Sequence, residues 1–524
     1  GTGNTSLGTG TTITGDGTIS FVGNQIITLN SDFTFTNSGL TFDFNSGAVT
    51  VNGPGKFVNQ GTIEFQGNDD VFNTQYVNDV GGTTSLGGST SSLLNQPTFN
   101  GGVSNRSLFQ LGGGSGAAGD QGSHLFLGGG STFDNEATGI LQTIGTLDTR
   151  QITGNITNLG LIDIDQTLII TGVIDNQGLI EADEDLTVDG DLNSSGGISL
   201  TNADLTVSIG NTLTNTGNLD TLNSGNTVTG TILNPGTLTV GGTGVGAGEL
   251  TVNNGFGSSG IILLDHQSTS NVASTLAVST GTLLNSGTIQ SIDTAGGMTT
   301  TNHIISGNLT NTGTVDVDAN LRLDLSGGDT FDSTDGAIDV ASGVKLLVQN
   351  GTFSIGTDTV LSGMGTVDLT GTGILDLASN VTLTPLKPQF ISTGPTTISG
   401  LGALTLDTGY ELVLTGDTID ADLSIIGNLT SQGSNNAING SILNQSGTLK
   451  IDGSGEVAGA LTVGNGFSSS GLILLDHLSA TNVASTLAVS AGTLLNSGTI
   501  QSIDTASGMT TTNHIISGNL TNTG

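Results

Sequence analysis

Two short strings, "LLDHQ" and "LLDHL", set Asp265 beside His266 and Asp476 beside His477. An imidazole next to a carboxylate is raw material for a hydrolytic or metal site. Neighbours in a strand, however, point to opposite faces, so adjacency alone makes no pair. Both strings come in duplicate, as do His303 and His514, and a single catalytic centre needs no second copy. We read these histidines as carried along by repetition, and no catalytic residue is assigned. The acids of "EADEDLTVDGD" (181–191) offer oxygen ligands, and Glu181, Asp183, Asp185, Asp189 and Asp191 form a weak Ca²⁺ candidate. No EF-hand loop or Gly-Gly-x-Gly-x-Asp repeat accompanies them; a solvated acidic face is the alternative. "GTGTTITGDG" (8–17) has the glycines of a phosphate loop but lacks its Lys and its helix. Beyond weakly bound Ca²⁺, no cofactor is expected.

The charge balance narrows the partners. The chain has 44 acids and 7 bases, a formal charge of -37. The bases (Lys56, Arg106, Arg150, Arg322, Lys345, Lys387, Lys450) are scattered, which disfavours nucleic acid and anionic lipid. Like charge keeps a large surface dispersed and attracts divalent counter-ions. Cys is absent, which removes disulfides and thiol chemistry. No apolar run approaches the roughly 20 residues that span a bilayer, so this segment is not expected to insert in a membrane. Its opening residues lack the basic start and apolar core of a signal peptide, and we read the chain as a mature product or a slice of a longer one.

Repetition decides the fold class. Residues 250–313 recur as 461–524 with eight differences in 64 positions, at a spacing of 211. The likeness extends upstream, where "GTILNPGTL" (230–238) matches "GSILNQSGTL" (440–449) with one residue inserted. Inside this module runs a looser unit: an aliphatic pair, Asn-x-Gly, then alternating apolar residues, as in "NITNLGLIDID" (155–165) and "NLTNTGTVDVD" (308–318). Ile162 and Ile164 then face one way and Asp163 and Asp165 the other. One such unit cannot bury its apolar face alone, whereas stacked units bury it continuously. The expectation is an all-β, right-handed parallel β-helix with coils of about 18–27 residues.

The corner residues are Asn158, Gly160, Asn176, Gly178, Asn215, Gly217, Asn234, Gly236, Asn285, Gly287, Asn311, Gly313, Asn496 and Gly498. Asn and Gly tolerate the left-handed backbone that tight corners use. Stacked amides could hydrogen-bond along the axis as an Asn ladder; alternatively each Asn serves its own turn. Regular coils are expected over 1–65, irregular Gly-rich coils or a lateral excursion over 66–138, and regular coils over 139–384. A Pro-containing joint follows at 385–400, then coils over 401–524. The array is expected to continue past its last rung.

The rungs "NLTNTGTVDVD" and "TLLNSGTIQSID", the Cys-free acidic composition and the duplicated module resemble large repetitive bacterial surface proteins, the haemagglutinin-like and autotransporter-like adhesins. That resemblance implies a secreted, cell-surface, non-catalytic shaft or fibre. Its partners would be further copies of the same array, end to end, and a glycan or other cell-surface ligand. Polysaccharide-degrading or polysaccharide-binding β-helices are the alternative. Their sites need clustered acids and bases with aromatic platforms, and here aromatics are 4% with no Trp.

Overall fold

The computed structural model describes residues 3–36, 39–66, 69–87, 96–112, 122–145, 149–242, 246–266, 272–296, 301–453, 457–477, 483–505 and 513–524. The glycine run at 113–121 and the side chain of His266 lie outside these residues. Among the described residues every regular element is a strand. The chain is an all-β parallel β-solenoid of about 20 turns, with stacked coils about 23 residues apart. It divides into two units, Gly1–Phe256 and Gly257–Gly524.

One turn of the first unit shows the construction. Arg150–Thr153, Asn155–Asn158 and Leu161–Ile164 form its three faces. The next turn lays Leu168–Thr171, Ile174–Asn176 and Leu179–Ala182 over them, parallel and in register. Each strand is short, β-rich and alternating, so one side enters the interior. Ile162, Ile164, Ile180 and Ala182 are buried, while Asp163 and Glu181 line up on the outside. Burying each aliphatic side chain contributes about 1.5–3 kcal/mol, and the coil above shields what a lone coil would expose. The earliest coils fill the same interior with rings: Phe44 stacks on Phe65 at 4.9 Å and Phe72 on Phe99 at 5.1 Å.

The Asn-x-Gly corner has a different cause from the one expected. None of Asn158, Asn176, Asn215, Asn234, Asn285, Asn311 and Asn496, nor of Gly160, Gly178, Gly217, Gly236, Gly287, Gly313 and Gly498, has a positive φ. Period two decides the Asn: Ile156 and Asn158 point in and Thr157 points out. Close approach decides the Gly. A Cβ on Gly178 would collide with the carbonyl oxygen of Gly160 one coil away, and one on Gly313 with that of Gly287. Those oxygens are engaged, since the N–H of Leu179 donates to Gly160 O at 2.9 Å and that of Thr314 to Gly287 O at 2.8 Å.

The strands described within 66–138 and 385–400 pair with the coils beside them. Within 66–138, Tyr76–Asn78, Val103–Asn105 and Thr132–Asn135 pair in series, and so do Thr62–Phe65, Thr83–Leu86 and Leu108–Leu111. The Asn-x-Gly signature fails there because the corners differ in length, while the Asn itself persists. The step from Asn105 to Asn135 is 30 residues, beyond the expected range, against 18 from Asn158 to Asn176. At 385–400, Gln389–Ser392 and Thr397–Gly400 pair with the coil before them. Pro385 and Pro388 precede Gln389–Ser392 and Pro395 lies between it and Thr397–Gly400, outside the strands, where a missing N–H breaks no ladder.

The duplicated module does not land on itself. In the second unit the inward column runs Leu283, Leu309, Phe331, Phe353, Leu375, Ile398, Ile419, Ile438, Val463, Val489. Val489 is the counterpart of Val278; the counterpart of Leu283 is Leu494. Equivalent residues therefore sit one face apart, because the module holds a non-integral number of three-faced turns. The inserted residue near 443 is absorbed as a bulge: Leu423 pairs with Ile442 and Ser424 with Asn444. Leu443 is left outside, at 59% exposure.

Gly178→Ala should cost about 1–3 kcal/mol by overpacking a backbone contact. Urea unfolding followed by circular dichroism would measure it, and a neutral result would mean the corner can open to admit a methyl group.

Candidate functional site

An extended run of side-chain hydrogen bonds follows the polar interior of the corner in the first unit. Nδ2 of Asn59 donates to Oδ1 of Asn78 at 2.9 Å, Asn78 to Asn105 at 2.8 Å, and Asn105 to Asn135 at 2.8 Å. Asn135 donates to Asn158 and Asn158 to Asn176, each at 2.7 Å. The other amide hydrogen reaches a backbone carbonyl of the next coil, Leu161 O for Asn135 and Leu179 O for Asn158. Asn176 donates to Ser194 Oγ at 3.0 Å, and a second run joins Asn215 to Asn234 at 2.7 Å. In the second unit Asn285 donates to Asn311 at 2.7 Å, Asn311 to Ser333 at 3.0 Å, and Asn496 to Asn522 at 2.6 Å. The Asn carbonyl works too: Asn158 O accepts the N–H groups of both Gln177 and Gly178.

Asn78, Asn105 and Asn135 lack the Asn-x-Gly spacing that the sequence reading followed, and Asn59, which has it in "VNQG", was not among the residues named. The signal that finds them is apolar-x-Asn: "FVN", "YVN", "VSN" and "FDN". It encodes an inward apolar residue followed, one pleat later, by an inward amide.

The acids read as a Ca²⁺ candidate are spread around one coil. Glu181 lies on an outer strand face, and Asp183 and Asp185 fall in the following turn. Asp189 and Asp191 sit at the next corner. Three of them cap the neighbouring coil: Asp185 accepts the N–H of Asp204 at 3.0 Å, Asp191 that of Thr212 at 2.9 Å, and Asp189 the hydroxyl of Ser208. Among the described residues, no group of three or more His, Cys, Asp or Glu side chains is placed to hold a metal ion. The structure instead stacks Asp163 on Glu181 across coils. Partial burial raises the Asp163 carboxyl, and the charges of Asp165, Glu181 and Asp183 add to the rise. Gln142 offsets part of this by donating to both Asp163 and Asp165.

Of the duplicated histidines, the pair that does not adjoin Asp, His303 and His514, has a structural role. His303 is fully buried. Its Nδ1 accepts the backbone N–H of Ser274 at 3.0 Å, and its Nε2 meets Ile292 O at 2.8 Å, so the proton is on Nε2. Ser274 Oγ donates to the carbonyl of Asp265, and the Asp265 carboxylate holds the N–H and hydroxyl of Thr294. The second copy repeats these bonds with His514, Ser485, Asp476 and Thr505. Asp, Ser and His thus gather as they would for nucleophilic catalysis, but the imidazole takes the serine's amide hydrogen, and the hydroxyl is spent on a carbonyl. The set joins Asp265, Ser274, Ile292, Thr294 and His303, which are far apart in sequence, in one hydrogen-bonded cluster. The signal in the sequence is the 29-residue Ser-to-His step, kept in both copies.

Most bases are used within the stack. Arg106 pairs with Asp79 and Glu136 on the coils to either side, and Lys450 lies 3.0 Å from Asp452 and 3.2 Å from Asp476. Asp70 is a buried acid with a corner role: its Oδ1 accepts the N–H of Val49 at 2.9 Å, as Asn226 accepts that of Ala203 and Asn436 that of Asp417. Burial pushes the Asp70 carboxyl up from 3.8 to about 7; the Val49 bond works against this and the Asp69 charge adds to it.

No family model matches the chain, and neither the curated proteins nor the solved structures contain a match.

Asn158→Ala should destabilise by about 2–4 kcal/mol, since it leaves the Asn176 acceptor and the Asn135 donor without their partner. The outward Thr157→Ala should change stability by less than about 0.5 kcal/mol, and paired denaturant titrations would compare them. For Asp70 the folded carboxyl keeps its proton to about pH 7, whereas the unfolded one releases it near 3.8. Its contribution is complete below the unfolded value and is lost as pH rises through the folded one. Asp70→Asn should therefore flatten the stability profile between pH 4 and 7 and raise stability at pH 8 by on the order of 2–4 kcal/mol. Equal midpoints of parent and variant at pH 8 would remove this role.

Proposed function

We propose that this chain is a non-catalytic shaft segment of an extracellular bacterial filament or giant adhesin, secreted and held at the cell surface. The observation that carries the reading is the unbroken run of hydrogen-bonded, fully buried amides from Asn59 to Asn176. It commits the interior to cohesion along the stack, coil after coil. The net charge of -37 suits a surface that must not stick to its own kind. The one-face offset between module copies adds a further property: a partner recognising the repeated segment would meet it on successive faces. In this reading the partners are more of the same array and a surface ligand.

A second reading, a polysaccharide-binding β-helix, is favoured by one feature. Thr157, Asp175, Asn193 and Thr214 on the strands, with Gln177, Ser195 and Thr216 at the corner, line a shallow polar groove of about 220 Å³. Its side chains offer donors and acceptors of the kind sugar hydroxyls use.

Cryo-electron microscopy of the native material separates the two. A shaft should show layers near 4.8 Å along a filament, with the 211-residue module recurring one face round at each step. Separate particles that bind a glycan panel saturably, and lose binding on Asp175→Ala with Asn193→Ala, would support the second reading instead.

A further inference from the structure

The amide ladder skips at each place where Ser precedes Asn. Ser194 stacks in register beneath Asn215, and Ser469 beneath Asn496. Ser258 lies beneath Asn285, its carbonyl accepting the N–H groups of Ser286 and Gly287. All six residues are at most 2% exposed. In these three Ser-to-Asn steps, and at none of the described Asn-to-Asn steps, the upper Asn Oδ1 has no hydrogen-bond partner. Where Asn lies below Asn, an Nδ2–H fills that role at 2.6–2.9 Å. Serine is one bond shorter and cannot span the coil spacing. At Ser469 the lower hydroxyl is also unpartnered, because Gln445 beneath it turns its amide to Gly447 O and Leu472 O.

A buried amide oxygen left without a donor costs about 1–3 kcal/mol. Three such losses, all at the same kind of step, call for a common remedy. Each step stacks an unpartnered acceptor on a side chain one bond shorter than Asn, among residues at most 2% exposed. Those are the conditions under which proteins hold an internal water with two or more polar partners.

We propose that each Ser-to-Asn step of the corner is a binding site for one structural water, which accepts from the Ser hydroxyl and donates to the Asn Oδ1. The water restores the bond that an Asn in place of Ser would make, so the corner tolerates Ser without losing its polar continuity. At Ser194 the hydroxyl's own approach to Gly196 O, at 3.5 Å, is long for a hydrogen bond, which leaves its hydrogen for the water.

The test is a structure of the full chain at a resolution that orders internal solvent. The expected result is one water bridging Ser194 to Asn215, one bridging Ser258 to Asn285 and one bridging Ser469 to Asn496, with none between Asn158 and Asn176. Ser194→Asn should expel the first of these, close the gap between Asn176 and Asn215, and move the unfolding midpoint upward. The proposal is overturned if the native chain shows no density at these steps. It is equally overturned if Ser and Asn are found in direct hydrogen bond, or if the density has the coordination of a monovalent cation.

Discussion

A turn of chain that stacks on an identical turn must bring two backbones together at its corners, and it must do so without stranding polar groups. This constraint governs the molecule. At the amide corner the carbonyl of Asn158 receives two N–H groups from the coil above, and the carbonyl of Gly160 receives a third from Leu179. Such proximity leaves no volume for a Cβ on Gly178. The Asn side chain then completes the accounting: one amide hydrogen serves the next Asn and the other a carbonyl that the strand ladder leaves with a spare lone pair. In a low-dielectric interior these bonds are strengthened, and the cost of breaking any one of them is correspondingly high.

The apolar faces follow from the same geometry. With corners fixed, four-residue strands alternate in and out, and aliphatic or aromatic columns fill the space between three faces. The chain tolerates wide variation in what lies outside those columns. Turns lengthen from 18 to 30 residues per coil, a residue is inserted near 443 and expelled as a bulge, and prolines sit between strands at 385–395. The strands on either side stay parallel and paired, and of these features the bulge alone shifts a register, between Leu423 and Ser424. Internal ion pairs and caps, such as Arg106 with Asp79 and Glu136, join neighbouring coils by local electrostatics of modest strength.

The same logic accounts for how the described chemistry-bearing residues are engaged by their neighbours in the stack. Asp, Ser and His do assemble near 265–303, but they are engaged by backbone groups and by the Thr294 hydroxyl. The acids between 181 and 191 are distributed by a coil that turns through two corners within eleven residues. Three of them act as caps for the coil above.

The sequence alone determined the fold class, because period-two alternation, corner glycines and a duplicated module leave few ways to bury short strands. It also located the corner and raised the amide ladder as one of two arrangements. Tertiary structure decided the rest. The inward direction of Asn158 depends on strand register, which a one-residue shift would reverse. The need for Gly178 is a collision with a residue 18 positions away and has no local signature. The tie made by His303 reaches across 29 residues to an amide that any residue could supply. Whether two identical segments share a face depends on the number of turns between them, a sum over every loop length in 211 residues. Local pattern specifies what a residue can do, and the stacking of coils specifies which neighbour it does it with.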